Sequence, residues 1–490
     1  MLGEEILYLS TRDLAERIRA RKISPVELTQ SYLERSKRLG PRLNAYVTIT
    51  EDLALAQARA AEKEIAAGHY RGPLHGIPYA AKDLLAVKGY KTTWGAKPYA
   101  HQSFDYDASV IERLNRAGAI LIGKAAMIEL AGGLGYSGPD ASLTGPCKNP
   151  WNTNYWTCGS SSGSGAIVAA GLANFALGSD TRGSIICPST LCGISGMRPS
   201  FGRVSRFGVM AIAWSMDKIG PMARTADSCG LVLSVIAGHD PKDHDSLRPE
   251  QAFFSYRPER KRPRPLRIGR LTNVFPDADP VLHSAVDEAL KVLEQNGAQV
   301  SDIKLPEGPY EEAAELAILI EAASAFSDLI QSGRCAQLED PLGQINGYAS
   351  LEFSASDLLQ IQRVRVSLQE KIDALFDRFD VIAAPGEDTV SIPLKASPRP
   401  ASKPPSTPAP TKEQQKNPLP RPRRDNSMQP DAISSLCGLP AVTVPCQLTK
   451  DGFPVGIQFI ARALNDGLPI MAANLFQSRT DWHTKHPRLD

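Results

Sequence analysis

The sequence predicts an α/β layered fold, and three observations carry that prediction. Amphipathic stretches of helical period alternate with short apolar runs of strand length along most of the chain. Residues 266–303 read as strand, helix and strand in direct succession. No run reaches the roughly 18–20 uncharged apolar residues that would span a membrane.

Taken in order, residues 11–21 and 24–39 read as amphipathic helices. Ser24 can cap the second. Pro25 suits its first position, where a backbone N–H has no partner anyway, and Glu27 stands three places after the cap. A third helix is predicted over 52–67. Residues 74–83 read as a turn entering a short buried strand. A helix over 107–117 precedes a strand over 119–122. Farther on, helices are predicted over 225–237, 279–296, 310–332 and 356–378, with strands over 266–270, 298–303 and 381–385.

Residues 386–430 change character. Pro398, Pro400, Pro404, Pro405, Pro408 and Pro410, with Lys and Arg interleaved, exclude a helix or a central strand. An extended surface excursion is expected, either a passive insertion or a lid over the site. Order is expected again over 431–439, and 441–445 with 456–460 read as a closing hairpin. The expectation is a single domain over 1–490, with 386–430 inserted in it.

Composition excludes several classes. Of 490 residues, 42% are hydrophobic and 22% charged, as in ordinary soluble globular proteins. A net charge of +2 demands neither nucleic acid nor an anionic membrane as partner. The start, Met1-Leu-Gly-Glu-Glu-Ile-Leu, lacks an apolar signal segment. Eight cysteines are sparse and show no paired metal-ligand spacing. Cys187 and Cys192 are therefore expected as buried reduced thiols of a cytoplasmic protein, with no metal.

The stretch from Trp156 to Gly202 organises the chain. Two Gly/Ser knots, residues 159–165 and 178–184, flank an apolar segment rich in small residues, 166–177. The first can turn tightly and expose hydroxyls. The second, with Asp180-Thr-Arg-Gly-Ser184, offers successive backbone N–H groups that could form an anion nest beside a serine hydroxyl.

Cys158-Gly-Ser-Ser-Ser-Gly-Ser164 followed by Gly178-Ser-Asp-Thr-Arg-Gly-Ser184 resembles the amidase signature family of serine hydrolases. Its pattern is Gly-Gly-Ser-Ser-Gly-Gly-Ser, a small-residue helix, then Gly-Ser-Asp-Thr-Gly-Gly-Ser. The continuations 192–208 and 217–224 fit as well, and only the 386–430 insertion departs. The resemblance implies a central mixed β-sheet flanked by helices on both faces, and a Ser–Ser–Lys set needing no cofactor. A small-molecule substrate is expected, and a homodimer is common in the family.

An amide is a poor electrophile with a poor leaving group. Its hydrolysis needs an activated nucleophile, a proton for the leaving nitrogen and donors for the oxyanion. By the resemblance Ser184 matches the nucleophile, Ser160 the bridging serine on a cis peptide bond, and Lys82 the lysine. Lys82 is also informative by itself: it stands in the mostly apolar stretch 74–85, and a buried lysine has its pKa lowered by desolvation. Only a neutral lysine can take a proton. Lys124, after the strand-like run at 119–122, reads as structural. The backbone amides of Thr181, Arg182, Gly183 and Ser184 are the candidate oxyanion hole. Ser161 is expected to support the loop, and Asp180 to orient its amides rather than to act as a base.

Three positions depart from the family pattern: Cys158 and Ser162 replace glycines, as does Arg182, whose guanidinium could line the pocket. Many relatives carry Arg two or three places after the nucleophile, where this chain has Ile186 and Cys187. These two become candidates for the substrate pocket, and a neutral, rather apolar substrate is expected: an aryl amide or anilide, a fatty amide, or a carbamate. Other readings stand beside this one. Gly159-Ser-Ser-Ser-Gly163 also fits a nucleophile elbow, which would make Ser161 the nucleophile and require one of His239, His244, His283, His483 or His486. The chain could instead resemble the amidating component of the tRNA-dependent amidotransferase, working with partners, or be an inactive scaffold on the same fold.

Overall fold

The apolar runs become strands of one sheet. In the computed structural model, which describes residues 2–258, 264–394 and 429–489, the strands are β1 (Tyr46–Ile49), β2 (Pro78–Lys82), β3 (Ile120–Ala125), β4 (Lys148–Asn149), β5 (Asn152–Trp156), β6 (Phe175–Asp180), β7 (Ser195–Arg198), β8 (Lys218–Ala223), β9 (Arg267–Leu271), β10 (Gln299–Ile303), β11 (Val381–Pro385), β12 (Ile392–Pro393), β13 (Ala441–Leu448) and β14 (Pro454–Ile460). Eleven of them form a sheet in the order β1-β3-β2-β6-β8-β7-β13-β14-β11-β9-β10. Pairing is parallel among β3, β2 and β6 and among β11, β9 and β10. The pairings between these two groups are antiparallel, so the sheet is mixed.

Every residue of β2, β3, β6, β8 and β14 is buried, so side chains on both faces are covered. That explains why β2, β3 and β14 read as short apolar runs and not as alternation. The second helix runs Pro25–Leu43, and the Ser24 hydroxyl accepts from the amides of Val26 and Glu27 as its N-cap. The amphipathic stretch near 279–296 is the helix Pro280–Gln295, capped by the Asp279 carboxylate on Val281 N.

Several expectations shift. The segment 166–177 is not one helix. The helix is Ser162–Ala169, and β6 begins at Phe175 and runs into the second knot as far as Asp180. The predicted helix over 310–332 breaks at Phe326 into Tyr310–Ala325 and Ser327–Gln331. That over 356–378 ends at Asp373, followed by a tighter turn, Ala374–Asp377. The strand expected over 119–122 continues to Ala125 and so includes Lys124.

The 386–430 stretch is anchored at both ends. Ile392–Pro393 pairs antiparallel with Trp156 and Tyr155 of β5, in a small sheet ordered β12-β5-β4. A helix, Pro430–Leu436, follows at the far end. Pro398 to Pro410 lie outside the described residues. Among the described residues no helix is long and apolar enough to cross a membrane.

Candidate active site

Lys82 ends β2, between β3 and β6, and has no exposed surface. Its Nζ reaches three hydroxyls: Ser160 at 2.8 Å, Ser161 at 3.0 Å and Ser179 at 2.8 Å. Burial lowers its pKa to about 7, against the opposing pull of Asp180 and Asp217. A deprotonated Nζ keeps one lone pair and two hydrogens, so one of the three hydroxyls must donate to it. Lys124 is a different case. Its Nζ lies 2.9 Å from Asp83 Oδ1 and donates to Thr92 Oγ1 at 2.8 Å, a buried ion pair that braces the neighbouring strand.

The first knot is shaped to present Ser160. The Gly159–Ser160 peptide bond is cis, and Ser160 O accepts from Ile128 N at 3.2 Å. Ser161 stands at the N-terminus of the helix Ser162–Ala169, yet its hydroxyl does not cap that helix. It donates instead to Ser179 O at 3.2 Å. Ser161 N donates to Ser184 O at 3.3 Å, which joins the two knots through the backbone.

The second knot is held from beneath by Asp180. Its carboxylate accepts from Gly183 N at 2.9 Å and Ile185 N at 2.8 Å. Burial alone would raise its pKa, but Arg198, Lys218 and these amides outweigh that and hold it low. Thr181 Oγ1 donates to Asp217 Oδ1 at 2.6 Å, and Asp217 Oδ2 also takes Ile212 N at 2.8 Å. Gly183 has φ +87°, a left-handed backbone that glycine adopts freely. Residue 182 does not share that conformation, so Arg182 replaces a family glycine there without backbone strain.

Because Gly183 N is taken by Asp180, it is not available as an oxyanion donor, contrary to expectation. Among the described residues the amides of Thr181, Arg182 and Ser184 have no acceptor. Ser184 is half-buried and opens on a cavity of about 490 Å³. The helix Tyr310–Ala325 supplies Glu315, Ile318 and Leu319 to its wall, and the helix Pro341–Ser350 supplies Leu342 and Asn346. The loop 131–136 closes it with Tyr136. Glu129 ties these walls together by accepting from the amides of Glu339 and Asp340, each at 3.0 Å.

Two candidates for the pocket are misplaced. Ile186 is wholly buried in the hydrophobic core beside Ala213 and Met216, and it does not line this cavity. Cys187 is not a reduced thiol: it forms a disulfide with Cys158, and the Cα atoms are 6.0 Å apart. The two cysteines are 29 residues apart in sequence and meet only because the two knots fold against each other. Glu387 lies beside the two sulfurs, which are bonded to each other and not open to a metal. Cys192 and five further cysteines are buried and free.

Some residues of the site have no signal in the sequence. Arg182 faces Glu311 at 3.7 Å and Glu315 at 4.0 Å, from a helix far along the chain. Ser179 could have been read from the second knot, as the residue before Asp180 on the same strand. Of the histidines that a nucleophile elbow would need, His239 Nδ1 contacts Leu247 O at 3.0 Å, His283 Nε2 contacts Phe275 O at 3.2 Å, and His486 stacks on Tyr8.

The chain belongs to the amidase family, whose model, described as Amidase, matches residues 27–468. It is similar to the A subunits of glutamyl-tRNA(Gln) amidotransferases. That of Acinetobacter baumannii strain AYE is 36% identical over 98% of either chain. That of Carboxydothermus hydrogenoformans is 34% identical over 99% of this chain and 100% of the relative. Among solved structures, the peptide amidase of Stenotrophomonas maltophilia is 29% identical over 98% of either chain, with a TM-score of 0.80.

Proposed function

We propose that the chain is a serine amidohydrolase cleaving the C–N bond of a neutral amide through an acyl-enzyme on Ser184. The observation that carries this reading is the buried Lys82, 2.8 Å from Ser160 and with its pKa lowered to about 7. Such a lysine is a base at neutral pH. In the proposed sequence Lys82 takes a proton through Ser160 from Ser184, and Ser184 Oγ bonds to the carbonyl carbon. The oxyanion meets the loop amides of Thr181, Arg182 and Ser184. The C–N bond breaks as the relayed proton passes to the leaving nitrogen. Water then enters by the reverse relay, releasing the acid and restoring Ser184.

The cavity supports a neutral substrate. Ile212, Ile318, Leu319 and Leu342 give it an apolar wall. Arg182 faces two carboxyl groups and is not left open to an anion. Anilides, fatty amides and carbamates all fit that description. The test is release of 4-nitroaniline from a neutral acyl anilide by wild type and by Ser184→Ala. Turnover lost in the variant supports the reading; turnover surviving in it overturns the nucleophile.

A second reading has its own support: a component of a larger complex that passes ammonia from an amide donor to an acceptor bound by partners. The full-length likeness to the amidotransferase components favours it over a stand-alone enzyme on the question of partners. Ammonia from glutamine that appears only with partner proteins present, and no anilide turnover, would establish this reading.

A further inference from the structure

We propose that Asp431 is a positioning residue for acyl transfer, acting through Arg198 on the loop that presents Ser184. The proposal rests on the reading of Ser184 as nucleophile. Asp431 lies in the first turn of the helix Pro430–Leu436, which follows the 386–430 stretch. Arg198, at the end of β7, has no exposed surface. Its Nη1 lies 3.3 Å from Asp431 Oδ1 and 3.4 Å from Asp180 Oδ1. Its Nη2 donates to Ser434 Oγ, one turn along the same helix. One guanidinium therefore joins the carboxylate that gathers the loop amides to a carboxylate on a separate helix.

Asp431 also touches the loop directly. A Cβ placed on Gly183 would stand 3.0 Å from Asp431 Oδ2. The loop's left-handed residue thus sits between Asp180, which takes its amide, and Asp431, which backs its α-carbon. With the charge at 431 removed, Arg198 keeps Asp180 as its single carboxylate partner, and the loop loses a negative charge on its outer side. A misplaced oxyanion donor costs rate without abolishing the nucleophile.

The charged groups around Asp431 are Arg198, Asp180 and Arg182, with Glu387 interacting across the same space. Glu311 also acts on Asp431 directly through its charge, and its carboxylate accepts from Gln429 N at 3.0 Å. Burial pushes Asp431 up to about 6, with Arg198 opposing. Its charge is thus present at neutral pH and lost as pH falls through that value. Lys82 supplies a separate ionisation near 7, since its neutral form is the base.

The experiment measures the second-order rate of phosphonylation by an alkyl fluorophosphonate from pH 5 to 9, with a thermal melt of each protein. The variants are Asp431→Asn, Asp431→Glu and Ser184→Ala. Asp431→Asn is expected to react about 10- to 100-fold more slowly at pH 8. Between pH 6 and pH 5 the rate should fall more steeply in wild type, where Asp431 and Lys82 both take up protons, than in Asp431→Asn, where Lys82 alone does. Asp431→Glu, which keeps the charge, should keep the steeper slope. Ser184→Ala labelled as fast as wild type would sink the reading of Ser184, independently of Asp431. With Ser184 labelled, Asp431→Asn matching wild type in rate overturns the proposal. So does a slower Asp431→Asn whose slope is unchanged, since that is a structural effect alone. If Asp431→Asn does not fold at the assay temperature, Asp431→Glu decides: a fall in rate below pH 6 shallower than that of wild type in that variant overturns the proposal.

Discussion

Ser161 gives its backbone N–H to the carbonyl of Ser184 at 3.3 Å. That bond fixes the helix-starting end of one Gly/Ser loop against the last residue of the other. The same Ser161 hydroxyl lies 3.0 Å from Lys82 Nζ. The lysine, the bridging loop and the proposed nucleophile loop are therefore tied together by direct hydrogen bonds.

The proposed base sets the pH dependence. kcat/KM should fall as pH drops through about 7, because protonated Lys82 has no lone pair. Lys82→Ala should lower kcat by about 10²–10⁴-fold. Lys82→Arg should do as badly, because a guanidinium does not give up its proton. A pH–rate series on a neutral anilide checks both, and a near-active Lys82→Arg would contradict the role.

The same burial should be visible in stability. The folded-state pKa of Lys82 lies below that of an unfolded lysine, so charging it opposes folding. The penalty is full below about pH 7 and fades as pH rises toward the ordinary lysine value. Lys82→Met should therefore be at its best relative to wild type at pH 7 and below. Wild type should recover on the order of 1 kcal/mol per pH unit above that. Urea unfolding of both proteins at pH 7 and pH 9 measures the difference, and a variant that gains on wild type with rising pH would sink the idea.

Gly183→Ala places a side chain on a backbone at φ +87° and against Asp431. The left-handed conformation alone costs about 1–2 kcal/mol for a residue with a Cβ. The melting temperature should fall, and fluorophosphonate labelling should slow by at least about tenfold as the loop amides shift. Unchanged labelling would mean that the loop tolerates another conformation.

The Cys158–Cys187 bridge should matter for both stability and activity, because its ends flank Ser160 and Ser184. Closing a loop of 29 residues stabilises a fold by about 3 kcal/mol. Reductant, or the pair Cys158→Ser with Cys187→Ser, should lower the melting temperature and kcat together. Thiol titration of the unfolded chain should rise by two groups on reduction. No rise would show that the two sulfurs are not joined.

Most of the site was legible because its chemistry is local. Lys82 is marked by its apolar neighbours, and the two knots carry glycine and serine at offsets that resemble the amidase signature, so that resemblance pointed to Ser160, Ser184 and Asp180 before the fold. The α/β class followed from period and run length. What was hidden depends on distant segments meeting. Arg182 gains Glu311 and Glu315 from one helix, and Arg198 gains Asp431 from another. Ile186 and Cys187 looked like pocket residues because they are near Ser184 in sequence. The helical turn Ile186–Leu191 sends Ile186 into the core, and the disulfide takes Cys187. The central strands β7 and β8 escaped because Gly and Pro interrupt their apolar pattern.

The most direct measurement is peptide mapping of the chain after reaction with the fluorophosphonate. A phosphonyl adduct on Ser184, absent from Ser184→Ala and slowed in Lys82→Ala, is the predicted result. An adduct on Ser161, or none in a folded protein that still hydrolyses an amide, would contradict Ser184 as the nucleophile.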